Sequence, residues 1–200
     1  MTAPHLNINR LLARTKAEGP GTRTCVWVQG CSRHCPGCMA SHLWDASPHQ
    51  LLPTSGIIAT AKAAGTEGVT VLGGEPFEQP SALAALLRQA WESRLSTIVF
   101  TGFTYEELSM SDDNDIQAAL ASTDVLIDGS YIAAQRDFSR PLVGSSNQRF
   151  VFLTDRYKLS DFGPNRIEIR IGRDGTAMVN GMGRMEQLFA ALGTTNKKKK

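Results

Sequence analysis

Thr24-Cys25-Val26-Trp27-Val28-Gln29-Gly30-Cys31-Ser32-Arg33-His34-Cys35-Pro36-Gly37-Cys38 runs from a β-forming stretch straight into three closely spaced thiols. Residues 24–29 read as a strand, because β-branched and aromatic side chains fit a pleated surface. The three cysteines that follow, with gaps of three and two residues, sit on the loop leaving it. Three thiolates on one short loop can hold three irons of a cubane, leaving the fourth iron open to a ligand. Zinc is the competing metal, since His34 and His42 are close enough in sequence for a Cys3His site. Zinc ligands more usually come as two pairs separated by a longer stretch, and plain structural thiols are the third reading. Cys25, inside the strand, reads as a buried core thiol unless it reaches the fourth iron.

Working outward, further strand-like runs occupy residues 69–72, 97–100, 124–127 and 149–153. Helical stretches fall between them at 53–64, 81–91 and 113–121. Leu83, Leu86, Leu87, Ala90 and Trp91 recur at helical spacing, Ser81 is a candidate N-cap, and Asp112 or Asp113 suits the start of the third helix. Alternating β and α runs predict an α/β fold, a partial (βα) barrel of mainly parallel strands. Residues 166–171 then alternate Ile167, Ile169 and Ile171 with polar residues, and Asp174-Gly175 turns into 177–179, predicting a C-terminal β-hairpin. A last short helix is expected at 185–192. One domain is expected over 1–193, with a low-complexity, lysine-rich tail at 194–200 expected to be disordered.

Composition narrows the function classes. Hydrophobic residues make up 42% of the 200-residue chain, enough for one sizeable core. Four of the 21 basic residues form the run Lys197 to Lys200, so the remainder carries no basic footprint for nucleic acid. No apolar run approaches the ~20 residues needed to cross a bilayer, and the first ten residues lack the layout of a secretion signal, so a cytoplasmic protein without a membrane partner is expected. Four cysteines, three of them clustered, do not form the dispersed pattern of a disulfide scaffold.

The second motif is Val71-Leu72-Gly73-Gly74-Glu75-Pro76, directly after the second strand. Glycines permit close backbone approach, and Glu75 offers an acceptor for an ammonium group. Thr101-Gly102-Phe103 follows the third strand and Asp128-Gly129-Ser130 the fourth. Parallel strands open their C-terminal ends on one face, so all four segments are expected to converge there.

CxxxCxxC followed by GGEP resembles the radical S-adenosylmethionine superfamily. Val26-Trp27-Val28-Gln29-Gly30-Cys31, Cys35-Pro36-Gly37-Cys38, residues 101–108, Asp124-Val125-Leu126-Ile127-Asp128-Gly129 and Gly144-Ser145-Ser146-Asn147-Gln148-Arg149 narrow the likeness, over residues 25–153, to glycyl radical enzyme activases of the anaerobic ribonucleotide reductase type. That resemblance implies one 4Fe-4S cluster held by Cys31, Cys35 and Cys38, and S-adenosylmethionine bound near Gln29, Met39, Gly73, Gly74, Glu75, Pro76, Thr101 and Asp128. It also implies a glycyl radical enzyme as partner and a flavodoxin or ferredoxin as electron donor. Gly37 stands where the wider superfamily usually carries an aromatic residue.

Plainer roles stand beside these. Trp44 reads as packing over the cysteine loop and His34 as a solvated loop residue or a tuner of the cluster. Asp128-Gly129 can simply form a turn, and Asn147, Gln148 and Arg149 can cap the strand that follows or contact a ligand or partner, with Arg149 suited to pair a carboxylate. Two other functions remain open: a radical enzyme acting directly on a peptide, nucleoside or small metabolite, and a non-enzymatic iron–sulfur or zinc module.

Overall fold

The computed structural model describes residues 4–183. Seven strands, β1 (His5–Thr15), β2 (Arg23–Val28), β3 (Gln50–Pro53), β4 (Gly68–Gly73), β5 (Ser96–Phe100), β6 (Val125–Asp128) and β7 (Arg149–Phe152), form one sheet in the order β3-β1-β2-β4-β5-β6-β7. The central strands β2, β4, β5 and β6 are parallel, while β1 and β3 on one side and β7 on the other pair antiparallel. A separate hairpin joins β8 (Ile167–Ile171) to β9 (Ala177–Gly181), as the alternating isoleucines predict.

Strand side chains alternate between faces, and the core divides accordingly. Val26, Val28, Val69, Val71, Val99 and Leu126 pack against Ile57 and Ile58 of α1 (Thr54–Ala63), Leu83, Leu86 and Leu87 of α2 (Pro80–Glu92) and Leu120 of a later helix, Asn114–Ala121. Each fully buried leucine here contributes about 2 kcal/mol. Ile98, Val125 and Ile127 point the other way, onto Leu142, Val143 and Phe162. The long helices thus share one face of the sheet.

Several local expectations differ from what is seen. Trp91 is 63% exposed; at 100° per residue it lies ~80° around α2 from Leu83, on the flank of the apolar stripe. Gln79, not Ser81, occupies the N-cap of α2, with Pro80 in the first turn where its missing N–H costs nothing. Asp113 does cap its helix, accepting from the N–H groups of Asp115 and Ile116. The sequence pattern did not reveal β1, whose alternation of Leu6 and Ile8 breaks at a register shift before Arg10, nor the short edge strand β3. It also missed α3 (Tyr105–Ser109), set by a capping box between Thr104 and Glu107; the helix Asn114–Ala121 is therefore α4. The expected helix 185–192 and tail 194–200 lie outside the described residues. No helix among the described residues is long and apolar enough to cross a membrane.

At the N-terminal edge of the parallel strands, Arg23 is completely buried. Its guanidinium donates to Thr70 Oγ1 (2.6 Å), Ser96 Oγ (2.9 Å) and the carbonyls of Val69 (2.7 Å) and Ser96 (3.1 Å). Neutral acceptors from two neighbouring strands therefore seal that end of the sheet, as a buried cation requires. The opposite end is left for loops.

Candidate cluster-binding site

Cys31, Cys35 and Cys38 lie on the loop leaving β2, at the C-terminal ends of the parallel strands. All three are unpaired thiols of intermediate exposure, whereas Cys25 is fully buried in β2. Burial leaves the Cys31 thiol above its ordinary value, with the backbone N–H groups of Arg33 and His34 opposing the shift. The Ala40 N–H points at Cys38 Sγ, 3.4 Å away. Amide donors aimed at sulfur suit thiolates that carry charge onto iron. Among the described residues no three His, Cys, Asp or Glu side chains converge as they would around a single ion. Three thiols on one loop could each meet a different iron of a cubane, with the fourth iron left without a thiolate.

The three residues between Cys31 and Cys35 each reach a different neighbour. Ser32 donates through its N–H (2.8 Å) and hydroxyl to Glu78, after β4. Arg33 donates twice to Ser130 Oγ, after β6. His34, in the left-handed region at φ 43°, stacks on Trp44 with ring centroids 4.6 Å apart. Trp44 therefore packs over the loop, and its carbonyl accepts from the Cys31 N–H. Gly37, at φ 77°, abuts the segment after β6: a Cβ there would lie 3.3 Å from that of Ala133. A bulky residue at 37 would press on that segment, which accounts for the glycine.

Gly73 and Gly74 do need close approach, but to protein backbone. A Cβ on Gly73, at φ 112°, would stand 2.7 Å from the Val28 nitrogen, and one on Gly74 would overlap the Gly30 carbonyl oxygen. The N–H groups of Gly74 and Glu75 donate to the carbonyls of Val28 (2.9 Å) and Gly30 (2.8 Å). Glu75 is likewise turned inward, 1% exposed. Its carboxylate accepts from the Phe77 N–H (3.0 Å), Thr101 Oγ1 (2.8 Å) and the Gly102 N–H (2.7 Å), so it ties the β4 loop to the β5 loop. Burial pushes its pKa up to about 7, against the pull of those donors. Pro76, also buried, opens the single helical turn that follows.

The remaining predicted residues divide in the same way. Gln29 is buried and spent on the Asp45 carbonyl (2.6 Å) and Asn9 Nδ2 (3.0 Å). Asp128, fully buried, accepts from the Tyr105 N–H (2.7 Å) and from both Nε and Nη2 of Arg149, which also binds Glu106. Gln148 accepts from the N–H groups of Gly144 (2.7 Å) and Ser145 (3.2 Å) and donates to the Gly129 carbonyl (3.0 Å), closing its own loop. Two groups remain turned outward or unspent. Met39 is 54% exposed beside Cys38, and Asn147, whose Nδ2 donates to the Ser130 carbonyl (2.8 Å), keeps a buried Oδ1 with no partner among the described residues. Arg33 and Ser130 are not among the predicted ligand contacts; their only sequence signal is their place between two cysteines and in the segment after a predicted strand. A cleft lined by Lys16, Pro20, Leu142, Phe162 and Asn165 contains none of the predicted site residues.

Residues 17–151, which hold the parallel strands and the three-thiol loop at their C-terminal ends, match the family described as a 4Fe-4S single cluster domain. Closer relatives are more specific. The anaerobic ribonucleoside-triphosphate reductase-activating protein of Vibrio cholerae is 34% identical over 66% of this chain and 88% of its own. That of Haemophilus influenzae is 34% identical over 71% and 92%, respectively. The chain belongs to the family of anaerobic ribonucleoside-triphosphate reductase-activating proteins. Among solved structures, QueE from Escherichia coli aligns over 50% of this chain and 53% of its own, with 18% identity and a TM-score of 0.42.

Proposed function

We propose that this protein is a radical S-adenosylmethionine enzyme that installs a glycyl radical on an anaerobic ribonucleotide reductase. The observation that carries the reading is the joint between the two motifs: the loop bearing Cys31, Cys35 and Cys38 is bonded, Glu75 N–H to Gly30 carbonyl, to the GGEP turn. Relatives named as activating proteins of that reductase supply the partner class.

Cys31, Cys35 and Cys38 would hold three irons of one 4Fe-4S cluster. When bound, the cluster would supply the one electron for reductive cleavage of S-adenosylmethionine, and so the hydrogen-atom abstraction from the partner's glycine. The chain's own residues hold geometry. Gly73, Gly74, Glu75 and Pro76 fix the β4 turn beneath the cysteine loop, Thr101 is held by Glu75, and Gln29 and Asp128 keep the ends of β2 and β6 in place. Asn147 Oδ1 and the exposed Met39 are the groups left to meet the nucleoside. Because the long helices share one sheet face, the open sheet is read as the wall of a partial barrel around that ligand. A flavodoxin or ferredoxin would deliver the electron, in the cytoplasm.

Anaerobic reconstitution with iron and sulfide, followed by dithionite and S-adenosylmethionine, should yield 5'-deoxyadenosine. With the reductase added, a glycyl-radical spectrum should appear. Absence of 5'-deoxyadenosine from a fully loaded sample refutes the cofactor chemistry. Nucleoside release without a protein radical refutes the partner.

A further inference from the structure

Arg33 crosses the mouth of the sheet. Its Nε and Nη2 lie 3.0 and 2.8 Å from Ser130 Oγ, and that hydroxyl donates onward to the Gly102 carbonyl at 2.9 Å. Its guanidinium carbon lies 4.5 Å from the centre of the Phe103 ring. A Cβ on Gly102 would overlap Arg33 Cδ, so the side chain lies directly on the Gly102 backbone. One residue from the cysteine spacer thus grips the loops after both β5 and β6. Among the described residues no carboxylate comes within ion-pair distance of it. Its contacts are a hydroxyl, a ring face and a backbone, and all three depend on shape. Lysine has neither the planar fork nor the flat face to make them.

We propose that Arg33 is a positioning residue that sets the distance between the cysteine loop and the loops after β5 and β6, and thereby the affinity for S-adenosylmethionine. This rests on the function proposed above. The ligand would span those loops, touching the cysteine loop at one end and Asn147 at the other. A cysteine loop released from Ser130 would still carry all three thiols and still take up iron. It would lose the preorganised gap into which the ligand fits, and binding would bear the cost of ordering it.

The experiment compares wild type with Arg33→Ala, Arg33→Lys, Ser130→Ala and the Arg33→Ala/Ser130→Ala pair. Iron per chain should match wild type in all of them. The dissociation constant for S-adenosylmethionine, read from the change it causes in the reduced cluster's electron paramagnetic resonance, should rise about tenfold in Arg33→Ala and in Ser130→Ala. The double variant should be no worse than Arg33→Ala alone, because Arg33→Ala already removes the link that Ser130→Ala breaks. Arg33→Lys should behave like Arg33→Ala. Wild-type affinity in Arg33→Ala or in Arg33→Lys, or additive losses in the pair, would overturn the proposal. In the apoprotein, amide hydrogen exchange over residues 31–40 and 101–103 should be faster in Arg33→Ala, and unchanged exchange also overturns it. A wild-type cluster indifferent to S-adenosylmethionine refutes the proposed function instead, and the apoprotein exchange still decides whether Arg33 is a strut.

Discussion

Gly74 and Gly30 meet backbone to backbone, so closely that a Cβ on the first would overlap the carbonyl oxygen of the second. That contact joins the GGEP turn to the residue immediately before Cys31. Gly74→Ala must therefore push the cysteine loop off the end of β4. Overpacking of this kind costs about 1–3 kcal/mol, which lowers Tm by about 2–4 °C per kcal/mol in a chain of this size. Thermal unfolding of the apoprotein checks the first figure. Reduced iron retention after desalting checks that the displacement reaches the thiols.

The four cysteines should separate cleanly by environment. Cys31, Cys35 and Cys38 are partly exposed on one loop, while Cys25 is fully buried within β2 and its thiol is pushed well above the ordinary range by desolvation. Cys31→Ala, Cys35→Ala and Cys38→Ala should each leave an apoprotein of near wild-type stability that no longer yields 5'-deoxyadenosine. Cys25→Ala should keep full iron and lose about 1 kcal/mol for the buried atoms removed. Iron and sulfide analysis beside urea unfolding distinguishes the two patterns.

Arg149 compensates the one carboxylate that the end of β6 buries completely, Asp128. It also pairs with the exposed Glu106. Truncating it leaves Asp128 with the Tyr105 N–H and no countercharge. Arg149→Ala should destabilise by about 2 kcal/mol, a figure discounted for the half-exposed guanidinium. Glu106→Ala should have much the smaller effect. Adding Asp128→Asn to Arg149→Ala should recover part of the loss, and urea titrations of the three variants test that order.

What the sequence revealed follows how local each determinant is. The cysteine triad and the hairpin turn at Asp174-Gly175 are written within a few residues, so both could be read directly. The parallel strands were legible because each is buried on both faces and is therefore rich in apolar residues that do not alternate with polar ones, as in Ile98-Val99-Phe100 and Val125-Leu126-Ile127. β1 was hidden because its register shift interrupts the alternation. Nothing beside Arg23 in the sequence signals its burial, since its acceptors, Val69, Thr70 and Ser96, lie 46 to 73 residues away. The need for glycine at 73 and 74 was readable, but its object was not: only the pairing of β2 with β4 shows that the close neighbour is Val28 and Gly30. Glu75, Gln29 and Asp128 carry the same lesson. A polar residue at a strand's C-terminal end reads as ligand-facing, and only the fold shows which neighbouring loop each of these also holds.

Glu18 allows a pH test of how the hairpin is held. Its Oε1 accepts from the Gly181 N–H (2.7 Å) and Asn180 Nδ2 (3.3 Å), anchoring β9 beside β1. Burial pushes its pKa up to about 7, the two donors and Arg10 opposing the shift and Glu168 on β8 adding to it; Cys25 on β2 also feels its charge. A carboxyl whose folded pKa is raised binds more protons folded than unfolded. Its stabilisation is complete below the unfolded value near 4.5 and is lost as pH rises to about 7, by ~3 kcal/mol for a shift of this size. Glu75, shifted the same way, adds a parallel loss. Glu18→Gln keeps an oxygen for both donors and cannot ionise. Between pH 5 and 7.5 the wild-type protein should therefore lose more stability than Glu18→Gln, by about 2 kcal/mol, with the Glu75 slope remaining in both. Urea unfolding at the two pH values measures the difference. Equal slopes would show that Glu18 stays ionised in its buried site, with Arg10 as its effective countercharge.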